Sequence, residues 1–146
     1  GPRNFIESKN SFKLGIKNTI SKFSKINTNV IIFDQPPEQK FNAKFVYRIL
    51  SKKNELNSKQ IENKSINFNE YKKLKNFTDT TFQSLKKTNK YNFKYFKLEN
   101  YMCDPNSCIL GDENGSFYRD DNHLSFYGVD RISTPLKIFL FNNIIF

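Results

Sequence analysis

The clearest indication of the fold class is the stretch Val30-Ile31-Ile32-Phe33-Asp34-Gln35-Pro36-Pro37-Glu38. Its first four residues form a short, continuous run of β-branched and aromatic side chains, which is typical of a strand buried on both faces in a parallel sheet. The two prolines cannot donate to a sheet ladder, so the strand is expected to end before them. The pattern predicts a strand over Val30–Phe33 and, with it, an α/β protein.

Helical and strand patterns alternate on both sides of this strand. Upstream, a helical pattern begins at Ser11, and its apolar residues share one helix face: Phe12, Ile16, Ile20 and Phe23. Downstream, we expect a helix over residues 43–50, a loop over 51–64 that is the least ordered region, a long helix over 67–87 and a strand over 91–98. The long helix presents six residues on one side: Phe68, Tyr71, Leu74, Thr78, Phe82 and Leu85. A hairpin around 111–115 and a final helix after Ser125, interrupted or kinked near Pro135, follow.

This order predicts one α/β domain over residues 1–146, a three-layer sandwich with a parallel sheet. The composition agrees, because 16 Phe and 7 Tyr within a hydrophobic fraction of 37% can build a small aromatic core. No run approaches the roughly 18 apolar residues of a membrane-spanning helix. The net charge of +10 could attract nucleic acid, but the lysines are spread along the chain without an Arg cluster or an RNA-binding signature. We therefore expect a solvated basic surface and no nucleic-acid partner.

The two cysteines, Cys103 and Cys108, enclose Asp104-Pro105-Asn106-Ser107. These four residues favour turns, and a turn can bring the two Cα atoms within disulfide range. A metal site would need more ligands, so neither a metal nor a cofactor is expected. The pattern favours a disulfide and an oxidising compartment, with two free buried thiols in a cytosolic protein as the alternative.

The segment whose residues could carry out catalysis is Tyr118-Arg119-Asp120-Asp121-Asn122-His123-Leu124-Ser125, which contains the only histidine. An Asp three residues before a His can fold back and accept the Nδ1 proton, which leaves Nε2 free as a base. Asp-x-x-His also occurs by chance, and a single loop histidine is more often solvated or capping. Asp121 is a second candidate for the partner of His123, and Ser125 is expected to cap the last helix rather than act as a nucleophile.

Asp120-Asp121-Asn122-His123-Leu124-Ser125 and the following Tyr127-Gly128 resemble the last conserved block of SGNH hydrolases, whose Asp-x-x-His supplies the triad acid and base. The order of Cys103, Cys108, Gly115 and Tyr118 before this block is similar to SGNH domains fused to membrane acyltransferase family 3 proteins. The resemblance implies a flavodoxin-like fold, a general acid–base role for His123, an orienting role for Asp120 and a Cys103–Cys108 staple.

The same resemblance implies a nucleophilic serine in a Gly-Asp-Ser block, and this block is absent from the sequence. The only Gly-Asp pair, Gly111-Asp112, is followed by Glu113. We expect that the first strands of the sheet, with the serine, lie upstream of Gly1; a degenerate, noncatalytic homologue is the alternative. Asp34 and Glu38 follow a strand at the edge where α/β sites gather, but turn-forming and solvated roles are expected for them.

The resemblance implies acyl transfer or hydrolysis, with acetyl esters on cell-surface carbohydrate as the expected substrate. The partners would be an acylated carbohydrate or acyl donor and a membrane acyltransferase domain upstream in the parent chain. The protein would then lie on the extracytoplasmic side, tethered to the membrane. A basic fragment that serves structure or interaction without catalysis is the second hypothesis.

Overall fold

The computed structural model describes residues 4–26, 28–88 and 90–144. Within these ranges six helices and six short strands occur in a mixed order. The helices are α1 (Phe5–Lys25), α2 (Ala43–Lys52), α3 (Ser58–Lys64), α4 (Phe68–Lys87), α5 (Glu99–Met102) and α6 (Phe126–Asn143). The strands are β1 (Val30–Phe33), β2 (Ile66–Asn67), β3 (Phe93–Phe96), β4 (Ser107–Cys108), β5 (Gly111–Asp112) and β6 (Gly115–Ser116).

The predicted α/β class is confirmed. Strands β1 and β3 lie side by side in a small parallel sheet, as expected for a three-layer α/β fold. Just beyond β1, the Asp34 N–H donates to the Phe96 carbonyl at 3.0 Å. Strand β1 has the predicted bounds, but it is half-buried and Phe33 is 51% exposed, so the expected burial on both faces is wrong. A run of apolar residues fixes strand type, whereas the depth of burial depends on how many elements cover it.

The described residues form two compact units. In the first, which comprises Gly1–Ile32 and Lys75–Tyr95, a small aromatic core gathers Ile20, Phe82, Leu85 and Phe93. Helix α1 begins at Phe5, earlier than predicted, because the Asn4 side chain caps it by accepting the Glu7 N–H at 2.9 Å.

The second unit comprises Phe33–Leu74 and Phe96–Phe146, and it holds the larger core. Its buried apolar residues come from the helices α2, α3, α5 and α6 and from the segments between them: Ala43, Val46, Leu50, Ile61, Phe96, Leu98, Met102, Leu110, Phe117, Tyr118 and Ile132. All residues singled out by the Asp-x-x-His pattern lie in this unit.

The structure corrects two sequence-based expectations about helices and adds one observation on α4. The predicted loop over 51–64 contains α3, which Asn57 caps and whose Ile61 is fully buried. On α4, Leu74 is 66% exposed, whereas Lys75 is buried. Helix α6 runs through Pro135, so the helix is not interrupted there.

None of the helices in the described ranges is both long enough and apolar enough to cross a bilayer.

Candidate functional site

The Asp120 carboxylate is the centre of a tight turn. Its Oδ1 accepts the backbone N–H groups of Asn122 at 3.0 Å and His123 at 2.8 Å. These two hydrogen bonds form the turn that an aspartate side chain favours by bonding to the backbone that follows it. The same carboxylate lies 2.9 Å (Oδ2) and 3.1 Å (Oδ1) from Nδ1 of His123. One side chain therefore fixes both the backbone of the turn and the orientation of the imidazole ring.

These hydrogen bonds favour the charged form of Asp120. The backbone N–H of His123 contributes most, followed by that of Asn122, and together with the imidazole they lower the Asp120 pKa from 3.8 to about 2. The carboxylate is ionised at neutral pH and can only accept a hydrogen bond. A neutral imidazole beside it must then carry its proton on Nδ1.

The second ring nitrogen of His123 faces a different environment. The His123 side chain is 69% exposed. Among the described residues, none forms a hydrogen bond with Nε2. The ring thus presents one nitrogen to an orienting carboxylate and the other outward, which is the arrangement that a triad base requires.

The comparison with protein families matches residues 2–137 to the SGNH domain that is fused to AT3 domains. The chain belongs to this SGNH family. No curated protein and no solved structure matches the sequence. The family associates the chain with esterase-like and acyl-transfer-related hydrolases and with a membrane acyltransferase domain as fusion partner. SGNH domains of this kind are typically tethered to the membrane.

Backbone pairing closes the base of the Asp120–His123 turn of the SGNH domain. The Arg119 N–H donates to the His123 carbonyl at 2.7 Å, and Tyr118 and Leu124 form an antiparallel bridge. Tyr118 is 1% exposed, so the residues at the base of the turn are packed in the core. Tyr118 is therefore a packing aromatic.

The segment that follows β1 holds the turn from the other side. The Gln39 N–H donates to the Asp121 carbonyl at 2.7 Å, and the Ala43 N–H donates to the Asp120 carbonyl at 2.9 Å. The segment that follows β1 therefore lies beside the Asp-x-x-His turn. Asp121 takes part through its backbone, and it is Asp120 whose carboxylate lies at Nδ1.

Gln39 is a site residue that sequence reasoning missed. Its side chain is 4% exposed, and its Nε2 donates to the Cys108 carbonyl at 3.0 Å while its Oε1 accepts the Ile66 N–H at 3.1 Å. The Gln39 side chain bonds to β2 and β4, and its backbone N–H bonds to the Asp120–His123 turn. No local pattern indicates this role, because the partners lie 27 and 69 residues away.

Cys103 and Cys108 form a disulfide. The two residues are opposite each other in an antiparallel bridge, and one hydrogen bond flanks this pair on each side. The Asp104 N–H donates to the Ser107 carbonyl and the Ile109 N–H donates to the Met102 carbonyl, both at 2.9 Å. Such non-hydrogen-bonded pairs bring the backbones closest in an antiparallel ladder, which allows a short link. The expected disulfide is confirmed.

Ser125 directly precedes α6 and caps it. Its Oγ donates to the Ser116 carbonyl at 2.6 Å and accepts the Gly128 N–H at 3.0 Å. The hydroxyl is thus committed to structure, as predicted for an N-cap. Gly128 permits a close approach, because a Cβ there would lie 2.0 Å from the Phe117 carbonyl oxygen.

The remaining candidates lie outside the hydrogen bonds of the Asp120–His123 pair. Glu38 is exposed, and Asp34 contributes its backbone N–H to the end of the sheet. The Tyr127 ring packs at a tilt against Phe117 with ring centres 5.4 Å apart, and its hydroxyl donates to Asp112 at 2.8 Å. Within the described ranges, no group of three or more His, Cys, Asp and Glu side chains could hold a metal ion.

Proposed function

We propose that this chain supplies the acid–base half of an SGNH site that transfers or hydrolyses acetyl or similar acyl esters on cell-surface carbohydrate. Asp120 orients the imidazole, and His123 is the general base and then the general acid. The observation that carries the proposal is the 2.9 Å contact between Asp120 Oδ2 and His123 Nδ1 next to an exposed imidazole.

The chemistry follows from the two ring nitrogens. His123 Nε2 takes the hydroxyl proton of a serine while the serine oxygen bonds to the acyl carbon, and the leaving alcohol receives that proton as the first ester bond breaks. A sugar hydroxyl or water then reverses the sequence, with His123 again accepting a proton and returning it to the serine. Asp120 stabilises the imidazolium that exists between these transfers. No cofactor is needed in this sequence.

We assign the nucleophile to a serine outside these 146 residues. The sequence has no Gly-Asp-Ser block, and the Ser125 hydroxyl is engaged by Ser116 and Gly128. A longer polypeptide that includes this domain would provide the serine next to His123 Nε2.

Two features of the chain support a sugar ester on the extracytoplasmic side. Phe126, three residues after His123 in the sequence, is 94% exposed, and exposed aromatic faces are common in small-molecule sites. The disulfide between Cys103 and Cys108 favours an oxidising compartment.

Nitrogen NMR on the ¹⁵N-labelled chain tests the arrangement directly, since His123 is the only histidine. At a pH where the imidazole is neutral, we expect the tautomer with its proton on Nδ1. Asp120→Ala should shift the population toward the Nε2–H tautomer, whereas Asp121→Ala is the matched control and should leave it unchanged. A predominant Nε2–H tautomer in the unmodified chain would refute the orienting role of Asp120.

Labelling by a serine-directed phosphonate tests the origin of the nucleophile. The 146-residue chain should remain unlabelled, and the longer protein should carry the label on a serine outside these residues. Labelling of Ser125 would contradict the assignment, and a longer protein without any reactive serine would favour the noncatalytic alternative.

A further inference from the structure

The charge of the protein is concentrated in the first unit. Gly1–Ile32 and Lys75–Tyr95 contain eleven Lys or Arg and two Asp or Glu, a net charge of +9. The second unit contains thirteen basic and twelve acidic residues, a net charge of +1. The first unit is the smaller of the two, so its basic residues are also denser along the chain, and it contains few acidic residues.

Helix α1 exposes both basic and apolar side chains. It carries five lysines and one acidic residue, Glu7. The exposed large apolar side chains described in the first unit all belong to α1 or to its C-cap: Phe5, Ile6, Phe12, Leu14, Phe23 and Ile26. Leu14 is 59% exposed and Ile6 is 71% exposed. Moving exposed apolar groups of this size out of water lowers the free energy of the system, so they are expected to mark a contact surface.

One face of α1 combines these two features. Leu14, Lys17 and Lys25 recur at i, i+3 and i+11, which places them on one side of the helix. Ile16, which packs against the core of the first unit, lies on the opposite side. Both lysines are exposed, and within the described ranges neither forms an ion pair with a carboxylate. Their charge is therefore not neutralised by the protein itself.

We infer that this face of α1, defined by Leu14, Lys17 and Lys25, binds the anionic headgroups of a phospholipid bilayer. Lysines beside exposed apolar side chains on a surface helix are the pattern of interfacial binding, in which the apolar groups enter the headgroup boundary and the ammonium groups meet lipid phosphates. A nucleic acid would use the charge but would leave Leu14 and Ile6 in water. The family's fusion to membrane acyltransferase domains places a bilayer within reach of the chain.

Co-sedimentation with vesicles tests the inference on the 146-residue chain. The chain should bind vesicles of mixed phosphatidylglycerol and phosphatidylcholine, bind pure phosphatidylcholine weakly, and dissociate as salt is raised. Lys17→Gln/Lys25→Gln should lower the partition coefficient roughly tenfold to thirtyfold, because each lysine near an anionic surface contributes about fivefold.

Two matched controls separate this face from net charge and general hydrophobicity. Lys52→Gln/Lys53→Gln removes the same charge from exposed positions of the second unit and should change binding by less than about twofold. Leu14→Ser should weaken binding several-fold, whereas Ile138→Ser, at a residue that is 57% exposed in the second unit, should not.

Three outcomes would overturn the inference. Equal binding to neutral and anionic vesicles would remove the electrostatic basis. Equal losses from the Lys17/Lys25 and Lys52/Lys53 variants would show that net charge alone acts. Submicromolar, sequence-selective binding to duplex DNA at physiological salt would assign the surface to nucleic acid.

Discussion

Replacing Gln39 by alanine removes a side chain that satisfies two buried backbone groups at once. The Cys108 carbonyl loses its donor at 3.0 Å, and the Ile66 N–H loses its acceptor at 3.1 Å. Both neighbours are nearly inaccessible, with Cys108 0% and Ile66 2% exposed, so solvent can replace the lost partners only in part. Each unsatisfied group costs about 1–3 kcal/mol, and we expect Gln39→Ala to lower the free energy of unfolding by about 2–4 kcal/mol.

Urea unfolding followed by circular dichroism measures this loss, provided that the m-value is unchanged. Gln39→Met, of similar length, keeps most of the packing but removes both hydrogen bonds, so it separates the polar contribution from the cavity. Gln35→Ala is the matched control on the same segment, and because Gln35 is exposed it should change stability by less than about 0.5 kcal/mol. A Gln39→Ala variant as stable as the control would refute the reasoning about the buried amide.

Three further predictions concern the disulfide, the turn and α6. The unreduced, unfolded chain should contain no free thiol, and replacing both Cys103 and Cys108 by serine should cost about 2 kcal/mol, as measured by urea unfolding; two titratable thiols would contradict this. The stabilising effect of ionised Asp120 is present above its ordinary pKa of 3.8 and is lost as pH falls to about 2. In melts over this pH range, the stability difference between the unmodified chain and Asp120→Asn should therefore shrink as pH falls. A difference that stays constant would refute the predicted direction of this pH dependence. Gly128→Ala places a Cβ 2.0 Å from backbone Phe117 O and should lower stability by about 1–3 kcal/mol, while an unchanged melting temperature would contradict the close approach.

The parts of the fold that could be predicted from sequence are those governed by local patterns. Val30–Phe33 was identifiable because a continuous β-branched run ends at prolines. The Asp120–His123 pairing was predictable for a similar reason, since a turn over a separation of three residues suffices to bring the carboxylate to Nδ1.

The parts that could not be predicted depend on distant partners. Helix α3 contains one buried apolar residue, Ile61, in a polar stretch, and its burial follows from its place in the same core as Ala43 and Leu50 of α2. On α4, Lys75 lies 3.8 Å from Asp79 in a buried i, i+4 ion pair, and a hydrophobic pattern assigns such positions to solvent. A hydrophobic pattern indicates where apolar residues recur, but it does not predict buried polar pairs.

The role of His123 in acyl transfer is tested most directly in the longer protein that carries the serine, by the rate of acyl transfer to carbohydrate hydroxyls. His123→Ala should lower this rate about 10³-fold or more, because triad members act as a unit. The folded stability should change little, since the side chain is 69% exposed, and Asn122→Ala, at an exposed neighbour, is the matched control. A His123→Ala protein that stays folded and keeps its rate within tenfold of the unmodified protein would contradict the account.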